Sequence, residues 1–522
     1  MLDGVKNSGG EPLGDVSPPF DVSAFGAYDV RGVIEENVTA GLYYRAARAA
    51  AEVLGAEAAC VGFDARETSA HFAAAALRGL TEAGCNALSL GLCGTEEVYF
   101  AAGSENLGLG LMVTASHNPL DYNGLKLVGP GARPLTNQEF KRIRDLTASG
   151  DFAAPAASGA RAVAGAPQRE AYATHLADIL DPKAMGAPRI LFDCGNGAAG
   201  PTLQVLLGEL QSRGAEVDAV TVRGNPDPTF PDGVPNPLLP EMRAATARAA
   251  AEAGTDFGVA FDGDFDRCFL FDAAGTFVEG EYVVALLARA ALAQNPGQSI
   301  IHDPRVTGAI RAAIIGAGGV PTQSKTGHAY VKDALRATSG PYGGEMSGHH
   351  YFRDFFYCDS GMLPWMLIAQ HLNQSGQTLA EAVTEMRAEF PSSGEINFRV
   401  ANKGAAVAAV RSRFEPDAAS VDRTDGLSCD FGDSSQGAPH DFRRQRDALS
   451  RDAGAAARAE LDGARTKTKR ALRERDCDWI FDERATLEAG LGVGCQRHYK
   501  PVANLKLVTP PNLVMIAVGA PK

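Results

Sequence analysis

Residues 113–128 read Val-Thr-Ala-Ser-His-Asn-Pro-Leu-Asp-Tyr-Asn-Gly-Leu-Lys-Leu-Val, and the interpretation of the whole chain depends on them. The apolar run from Leu107 to Val113 predicts a buried strand that ends in a loop of turn-forming residues containing Ser116. In open α/β folds, ligands bind outside the carboxyl ends of strands, and such a loop holds a hydroxyl in a fixed position. Lys126 is assigned to the same loop, where it could neutralise an anion near Ser116. The pattern predicts a presented nucleophile, although an ordinary turn fits these residue types as well.

Composition limits the classes of function. The chain has 522 residues, of which 45% are hydrophobic and 21% charged, and this predicts a globular protein of three or four domains. A formal net charge of -14 argues against nucleic-acid binding but allows a small phosphorylated substrate in a locally basic cleft. The nine cysteines include no C-x-x-C pair, and no apolar run is long enough to cross a bilayer. We therefore expect a cytoplasmic protein with reduced thiols, without nucleic-acid or membrane partners.

The order of apolar and polar stretches predicts an α/β protein. Residues 1–20 form an expected flexible leader, and the segment from Gly150 to Pro167 is Ala, Gly, Pro and Ser with little apolar patterning, which indicates a linker. We predict three consecutive related α/β domains with mixed sheets, followed by a smaller, atypical or partly disordered α+β C-terminal domain. The expected domain ranges are 21–165, 166–276, 277–390 and 391–522.

A glycine motif in the second domain permits a different function. Gly195, Gly197 and Gly200 match G-x-G-x-x-G between a predicted strand and a predicted helix. The next strand carries Glu216 and Asp218 at about the distance expected for a contact with a ribose. An NAD-dependent oxidoreductase is therefore an alternative, weakened by the position of the motif in the second domain and by its high false-positive rate.

A third strand in this domain leads into an acidic loop. Asp262, Asp264 and Asp266 alternate in a Gly-containing turn, and three carboxylates in that spacing can converge on one hard cation such as Mg²⁺. An EF-hand would need Gly and Glu where this chain has Arg267 and Ala273, which argues against calcium buffering. The alternative is a solvated acidic turn. Arg267 argues against that alternative, because an incoming phosphate needs a cation beside the metal.

Three motifs together resemble a known family. T-A-S-H-N-P…N-G-L-K, D-G-D-F-D-R and G-E-M-S-G-H, in this order, resemble the α-D-phosphohexomutases, and most closely their bacterial phosphomannomutase/phosphoglucomutase branch. The resemblance extends from about Phe25 to Gly432. It implies reversible transfer of a phosphoryl group between the 1- and 6-positions of mannose or glucose phosphate. It further implies an active-site phosphoserine, bound Mg²⁺ and a hexose 1,6-bisphosphate as intermediate and activator.

The resemblance also implies roles for individual residues. The implied catalytic residues are Ser116 as the phosphoserine, His117, Lys126, Arg267 and His328. The implied metal ligands are Ser116, Asp262, Asp264 and Asp266. The implied substrate-binding residues are Tyr28, Arg31, Arg305, Gly327, Glu345, Ser347 and His349. Arg305 stands where relatives commonly have Lys and keeps the charge without the proton chemistry of a lysine. The implied partner is a small hexose phosphate, and the expected state is a monomer or weak dimer.

The C-terminal sequence departs from the family. The resemblance implies a closing loop of the form R-x-S-N-T-E-P that binds the phosphate that is not reacting. This loop sequence does not occur in the chain. Residues 433–476 contain no Val, Ile, Met, Tyr or Trp, too little to build a core. A shifted reading frame near Gly432 and a diverged fourth domain both explain this. We expect reduced activity, unless the tail supplies substitute cations, and a non-catalytic sugar-phosphate-binding relative is the alternative. The candidate cations are Arg443, Arg444 and Arg497.

Overall fold

The computed structural model divides the chain into two compact units, Met1–Glu389 and Phe390–Lys522. The predicted leader lies mostly outside the described residues. Among the described residues, no helix is long and apolar enough to cross a membrane. Their seven cysteines are all free and buried. The structure describes residues 13–14, 16–105, 107–154, 161–164, 168–305, 307–392, 395–400, 403–430, 503–508 and 513–518.

The first sheet has six strands in the order β1-β5-β4-β2-β3-β6. Its strands are β1 (Val30–Val33), β2 (Ala58–Phe63), β3 (Asn86–Leu92), β4 (Leu109–Val113), β5 (Tyr122–Val128) and β6 (Ala162–Ala164). Its helices are α1 (Ala40–Leu54), α2 (Ser69–Glu82), α3 (Thr95–Ser104) and α4 (Asn137–Ser149). The Ala-rich α1 begins where the Thr39 side chain accepts from the Leu42 N–H and ends at Gly55 in the left-handed conformation. Because β2, β3 and β4 are parallel, their carboxyl ends meet at one edge.

Two sequence-based assignments in this sheet were wrong. The predicted linker from Gly150 to Pro167 contributes β6, which pairs in parallel with β3. Lys126 does not belong to the loop after Ser116, because the chain turns at Pro119–Tyr122 and returns as β5, antiparallel to β4. Hydrogen bonds to neighbouring strands form both β6 and β5. The sequences of these strands show little apolar pattern, because β6 is short and rich in Ala and β5 contains Gly and Lys.

The second sheet has four strands in the order β10-β9-β7-β8. Its strands are β7 (Arg189–Asp193), β8 (Asp218–Val222), β9 (Phe257–Phe261) and β10 (Cys268–Asp272). Its helices are α5 (Gln168–Asp178), α6 (Ala199–Ser212) and α7 (Pro240–Ala253). Strand β7 pairs in parallel with β8 and β9, and β10 returns antiparallel to β9. The turn after β7 and the acidic loop after β9 therefore leave the same edge side by side.

The third sheet has five strands in the order β12-β11-β13-β14-β15. Its strands are β11 (Ser299–His302), β12 (Val320–Gln323), β13 (Tyr342–Gly344), β14 (His350–Phe352) and β15 (Cys358–Asp359). The helices of this part are α8 (Gly280–Gln294), α9 (Gly308–Gly316), α10 (His328–Thr338), α11 (Met362–Ser375) and α12 (Leu379–Glu389). The turn between β13 and β14 carries the predicted sugar-recognition residues.

The described part of the C-terminal unit is an antiparallel sheet in the order β16-β19-β20-β18-β17 with one α-helix. Its elements are β16 (Glu395–Val400), α13 (Lys403–Phe414), β17 (Ser420–Asp422), β18 (Leu427–Asp430), β19 (Ala503–Val508) and β20 (Leu513–Val518). The apolar segments near the C-terminus thus pair with the strands before residue 431. Residues 433–476, with Arg443 and Arg444, and also Arg497 lie outside the described residues.

Short 3-10 helices occur at Pro130–Ala132, Pro182–Met185, Arg353–Phe355 and Glu415–Asp417. The predicted class, three consecutive α/β domains with mixed sheets and an α+β C-terminal part, is confirmed. The domain boundaries stay predictions.

Candidate active site

Ser116 is held in a strained backbone conformation directly after β4. Its φ is 51°, in the left-handed region that a residue with a Cβ rarely adopts. The Ser116 N–H donates to Thr114 Oγ1 at 2.8 Å, and that hydroxyl donates to Asp64 Oδ2 at 2.7 Å. Asp64 follows β2, so two neighbouring strand ends fix the loop together. The predicted nucleophile is therefore locked by buried hydrogen bonds, as pre-organisation requires.

Arg66 also stabilises the loop that contains Ser116. Its guanidinium donates to four backbone carbonyls of the loop, those of Ser116, Asn118, Pro119 and Tyr122. It also forms an ion pair with Asp64 at 3.4 Å, and it is 4% exposed. The sequence pattern did not reveal this role. The available signal was its position two residues after Asp64, at the end of β2 and thus at the same sheet edge as Ser116.

The first aspartate of the acidic loop contacts the Ser116 hydroxyl. Ser116 Oγ donates to Asp262 Oδ2 at 2.6 Å. Because this uses its single proton, the 3.0 Å contact between Ser116 Oγ and His117 Nδ1 requires the imidazole to donate. The two loops meet closely, since a Cβ at Gly263 would lie 2.6 Å from the Ser116 carbonyl oxygen. Glycine is needed there for the backbones to approach.

These carboxylates fit a metal ion. Asp262, Asp264 and Asp266 can each offer an oxygen within 4.8 Å of the others. In each of them, Oδ1 is buried and accepts no hydrogen bond. Buried acceptors normally find a partner, and three unpaired carboxylate oxygens in one cluster fit the ligand set of a divalent cation. An all-oxygen donor set suits Mg²⁺.

The charge balance of the acidic loop also favours a bound cation. Lys126 Nζ lies 2.6 Å from Asp264 Oδ2, and Arg267 Nε lies 3.6 Å from Asp262 Oδ2, so two cations oppose three carboxylates. Burial and the Asp264 carboxylate raise the pKa of Asp262 to about 6 and that of Asp266 well above its usual range. A proton held by such a group is what a divalent cation would displace.

Lys126 contacts the acidic loop rather than Ser116. Its Nζ lies 2.6 Å from Asp264 Oδ2 and 2.5 Å from Asp266 Oδ2, and 3.2 Å from Thr95 Oγ1. Burial lowers the pKa of Lys126, but Asp264 and Asp266 more than offset this and raise it above its ordinary value. The sequence did not reveal Thr95, which contacts the loop from the first position of α3.

Arg267 and His349 form the next contact. Arg267 Nε donates to His349 Nε2 at 3.1 Å, so this nitrogen carries no proton. His349 Nδ1 then donates to Ser347 Oγ at 3.0 Å. Burial and the neighbouring Arg267 lower the pKa of His349 well below its usual range. The imidazole is therefore neutral, and it links the acidic loop to the turn between β13 and β14.

Glu345 and Arg305 lie at this turn, but their side chains are already engaged. Glu345 accepts from the Gly327 N–H at 2.8 Å and from the Tyr351 hydroxyl at 2.6 Å. Arg305 makes two side-chain hydrogen bonds to Asp303, which also accepts from the Met346 N–H. Arg305 lies 3.9 Å from Glu345 and is buried, so in this structure it braces the turn.

His328 is the first residue of α10 and lies beside a buried ion pair. Lys332 Nζ is 2.6 Å from Asp359 Oδ1 and 3.9 Å from the Tyr99 ring centre. Burial and the Lys332 charge lower the pKa of His328 to about 4. Its Nδ1 is buried and makes no hydrogen bond, and its ring meets the half-exposed Tyr28 edge-on at 4.6 Å. A neutral imidazole with a free nitrogen can accept a proton. The sequence did not reveal Asp359.

Arg31 contacts the Ser116 loop through its guanidinium. Its guanidinium donates to Asn118 Oδ1 at 3.0 Å and pairs with Asp29 at 3.0 Å. The side chain keeps 23% of its surface exposed, so it can meet an anion that enters the cleft. All residues predicted for the site therefore lie around one region of the first unit, with Arg305 turned to a supporting contact.

The geometry contradicts dinucleotide binding at the glycine motif. Glu216 and Asp218 lie at the beginning of β8, whereas a ribose contact comes from the carboxyl end of that strand. Asp218 instead pairs with Arg189 at 2.7 Å. A Cβ at Gly197 would lie 2.7 Å from the Gly263 carbonyl oxygen, so the motif packs against the acidic loop. Its glycines serve close packing, because a Cβ at Gly200 would also lie against the Gly224 carbonyl oxygen.

Comparison with protein families gives three matches in succession. The family descriptions are phosphoglucomutase/phosphomannomutase, alpha/beta/alpha domain I on residues 22–154, domain II on residues 170–275 and domain III on residues 279–390. Together the matches cover most of the chain.

Individual relatives agree with these matches. The chain is 46% identical over 413 residues to a phosphomannomutase of Salmonella typhimurium, covering 79% of this chain and 91% of the relative. It is 45% identical over 410 residues to a protein of Xanthomonas campestris described as phosphohexose mutases, covering 78% and 90%. A solved phosphoglucomutase/phosphomannomutase family protein of Burkholderia thailandensis superimposes with a TM-score of 0.69 at 27% identity, covering 79% and 89%.

Proposed function

Because the chain belongs to the phosphoglucomutase/phosphomannomutase family and is a phosphohexomutase, we propose that Ser116 carries a phosphoryl group between the C1 and C6 oxygens of mannose or glucose phosphate. The sugar would pass through a hexose 1,6-bisphosphate that turns over within the site. The observation that carries this proposal is the 2.6 Å contact of Ser116 Oγ with Asp262, in a cluster whose three carboxylates each keep an unpaired oxygen. A strained serine beside an incomplete cation site is suited to phosphoryl transfer.

The proposed metal ligands are Asp262, Asp264, Asp266 and an oxygen of phosphorylated Ser116. Bound Mg²⁺ would neutralise charge on the phosphoryl oxygens. The chain supplies the rest of the positive charge through Lys126 and Arg267. Both are held against the acidic loop and therefore stay in place while the phosphoryl group moves.

In the first half-reaction, a sugar hydroxyl oxygen would attack phosphorus on Ser116. The new oxygen–phosphorus bond forms as the bond to Ser116 Oγ breaks, and the serine oxygen keeps that electron pair. The hydroxyl proton would pass to the free Nδ1 of His328, which is neutral in neutral solution. In the second half-reaction, the Ser116 Oγ that kept the electron pair, beside Asp262, would attack phosphorus of the other phosphate. The bond between that phosphorus and its sugar oxygen would break, and the sugar oxygen would take the proton from His328.

The turn between β13 and β14 is proposed to recognise the sugar. Ser347 Oγ accepts from His349 Nδ1, so its own proton can be donated to a sugar hydroxyl. Glu345 lies beside it with each carboxylate oxygen engaged by one donor, and each oxygen retains capacity for another. Tyr28 and Gly327 are proposed to contact the sugar beside this turn. The choice between mannose and glucose stays a prediction, as do the cytoplasmic location and the monomer or weak-dimer state.

We also propose that turnover is weak compared with that of family members that have the R-x-S-N-T-E-P loop. A sugar that rotates by half a turn needs a grip on its distal phosphate, and each lost charge-assisted hydrogen bond removes about 1.5 to 3 kcal/mol. The candidate replacements Arg443, Arg444 and Arg497 lie outside the described residues. A protein that binds hexose phosphate without turnover is the second candidate, favoured only by this missing loop.

Intact-mass measurement tests the central claim. The purified protein incubated with glucose 1,6-bisphosphate should gain the mass of one phosphate, and the Ser116→Ala variant should not. A coupled assay on glucose 1-phosphate and mannose 1-phosphate, with Mg²⁺ and the bisphosphate, then measures turnover. Phosphate gain by Ser116→Ala would refute the assigned carrier. Binding of hexose phosphate with no turnover and no phosphorylation would favour the second candidate.

A further inference from the structure

Residues 94–97, Gly-Thr-Glu-Glu, form a segment that comprises the residue before α3 and the first three residues of α3. It contacts the acidic loop, α5, α6 and the start of α11. It is buried at Thr95, Glu96 and Glu97. It contains none of the residues implied by the family resemblance. Its contacts with the acidic loop are nevertheless as short as those of Lys126.

Thr95 holds Asp264 at two points. The Thr95 N–H donates to the Asp264 carbonyl oxygen at 3.1 Å, and Thr95 Oγ1 donates to Asp264 Oδ2 at 2.5 Å. The same hydroxyl oxygen accepts from Lys126 Nζ at 3.2 Å. One hydroxyl therefore fixes both a carboxylate of the cluster and the cation that neutralises it.

This arrangement determines which carboxylate oxygen is left open. With Oδ2 of Asp264 occupied by Thr95 and Lys126, Oδ1 stays buried and unpaired. Lys126 has three oxygen acceptors, one each on Thr95, Asp264 and Asp266, and these orient its three N–H bonds. Without the hydroxyl, Asp264 could rotate and Lys126 could follow it, and the ammonium would then compete with a cation for the free oxygens.

The rest of the segment prevents Thr95 from shifting. Glu96 accepts from the N–H groups of Gly361 and Met362 at the start of α11. Glu97 accepts from the side chains of Arg169 and Thr202, at 3.1 and 3.0 Å, and from the Gly94 N–H. The segment is thus anchored on both sides of Thr95.

We infer that Thr95 is a positioning residue for the cation site: its hydroxyl orients Asp264 and Lys126 so that the three free carboxylate oxygens stay available to a divalent metal. This inference rests on the proposed function only in assuming that the three aspartates bind a metal. Supporting groups that orient metal ligands typically change metal affinity by about 10- to 100-fold when they are removed.

The test is titration of the full-length protein with Mn²⁺, a paramagnetic substitute for Mg²⁺, followed by electron paramagnetic resonance without any substrate. Thr95→Val removes the hydroxyl and keeps the shape, and we expect it to weaken Mn²⁺ binding about 10-fold or more. Thr95→Ser keeps the hydroxyl and should stay within about threefold of the unmodified protein. Thermal melting by circular dichroism checks that each variant is folded, and Thr95→Ala replaces Thr95→Val if the latter is not.

Thr246→Val is the matched control. Thr246 is also a buried threonine whose hydroxyl donates to a buried carboxylate, but its partner is Asp193, outside the acidic cluster. This variant should bind Mn²⁺ like the unmodified protein. Equal binding by Thr95→Val, equal weakening by Thr95→Ser, or equal weakening by Thr246→Val would each overturn the inference. No Mn²⁺ binding by the unmodified protein would instead refute the metal site of the proposed function.

Discussion

Two loops of the second sheet follow neighbouring parallel strands, but the aspartates in them differ in their hydrogen bonding. The turn from Asp193 follows β7 and the acidic loop from Asp262 follows β9, its parallel neighbour. Asp193 is saturated: Oδ1 accepts from the Gly195 N–H and Arg223 Nε, and Oδ2 accepts from Thr246 Oγ1 and the Arg223 terminal nitrogen. This carboxylate is part of the architecture.

The acidic loop differs from this turn in the hydrogen bonding of its aspartates. It also contains a strained residue, Phe265 at φ 46°, much as the first turn contains Asn196 at φ 58°. Its three aspartates, however, each keep a buried oxygen without a hydrogen bond. Since an unpaired buried acceptor destabilises a fold, its persistence in triplicate marks a place where a ligand completes the structure. Strand-end aspartates thus divide into structural and functional ones by what surrounds them.

The largest expected effect comes from Asp262→Asn. Loss of this charge should weaken Mn²⁺ binding and reduce mutase turnover by more than about 100-fold, because a metal ligand and the Ser116 partner change together. Unfolding by urea in the presence of a chelator should show a free energy unchanged within about 1 kcal/mol or increased, since repulsion among three buried carboxylates falls. A clearly less stable variant with normal metal affinity would reverse the comparison of the two loops.

Asp193→Asn should show the opposite pattern. Its charge-assisted hydrogen bonds to Arg223 are lost, so the free energy of unfolding should fall by about 2 to 3 kcal/mol in urea titration. Mn²⁺ affinity should stay within about threefold of the unmodified protein. Loss of metal affinity equal to that of Asp262→Asn would show that both loops belong to one functional unit.

Gly197→Ala tests how the two loops support each other. The added Cβ would lie 2.7 Å from the Gly263 carbonyl oxygen, so the acidic loop must move, and we expect about 1 to 2 kcal/mol of destabilisation with weaker Mn²⁺ binding. Gly208→Ala is the control, because nothing lies within 4 Å of its Cβ position in α6. It should be neutral or stabilise the protein by about 0.5 to 1 kcal/mol. Equal behaviour of the two variants would remove the packing explanation of the glycine motif.

At neutral pH, the smallest expected effect comes from the titration of His350, a buried group in β14 with structural contacts. Burial lowers its pKa to about 3, and its Nδ1 lies 2.8 Å from the Tyr342 hydroxyl. Below the unfolded pKa of about 6.5, the unfolded chain binds a proton that the folded protein excludes. Relative to His350→Asn, the unmodified protein should therefore lose about 1.4 kcal/mol of unfolding free energy per pH unit between about pH 6 and pH 4. Urea titrations at several pH values measure this, and a constant difference would contradict it.

The sequence predicted the regular elements well where pattern and neighbours agreed. The strands β4 and β9, the strand β7 and helix α6 on either side of the glycine motif, and the loop positions of Ser116 and Asp262 follow from apolar runs and turn residues. It failed for β6, because three residues in an Ala- and Gly-rich segment form a strand only through pairing with β3. Lys126 was assigned to a loop for the same reason.

The sequence by itself determined which chemistry is possible: a hydroxyl after a strand, three alternating carboxylates and a set of cations. Only the tertiary structure decided which groups meet. It brought Thr95 and Arg66 into the site, committed Arg305 to Asp303, and turned the glycine motif into a packing surface. The physical reason is that hydrogen bonds between distant segments depend on the packing of whole sheets. Local sequence specifies donors and acceptors, whereas packing determines which of them stay unpaired for a ligand.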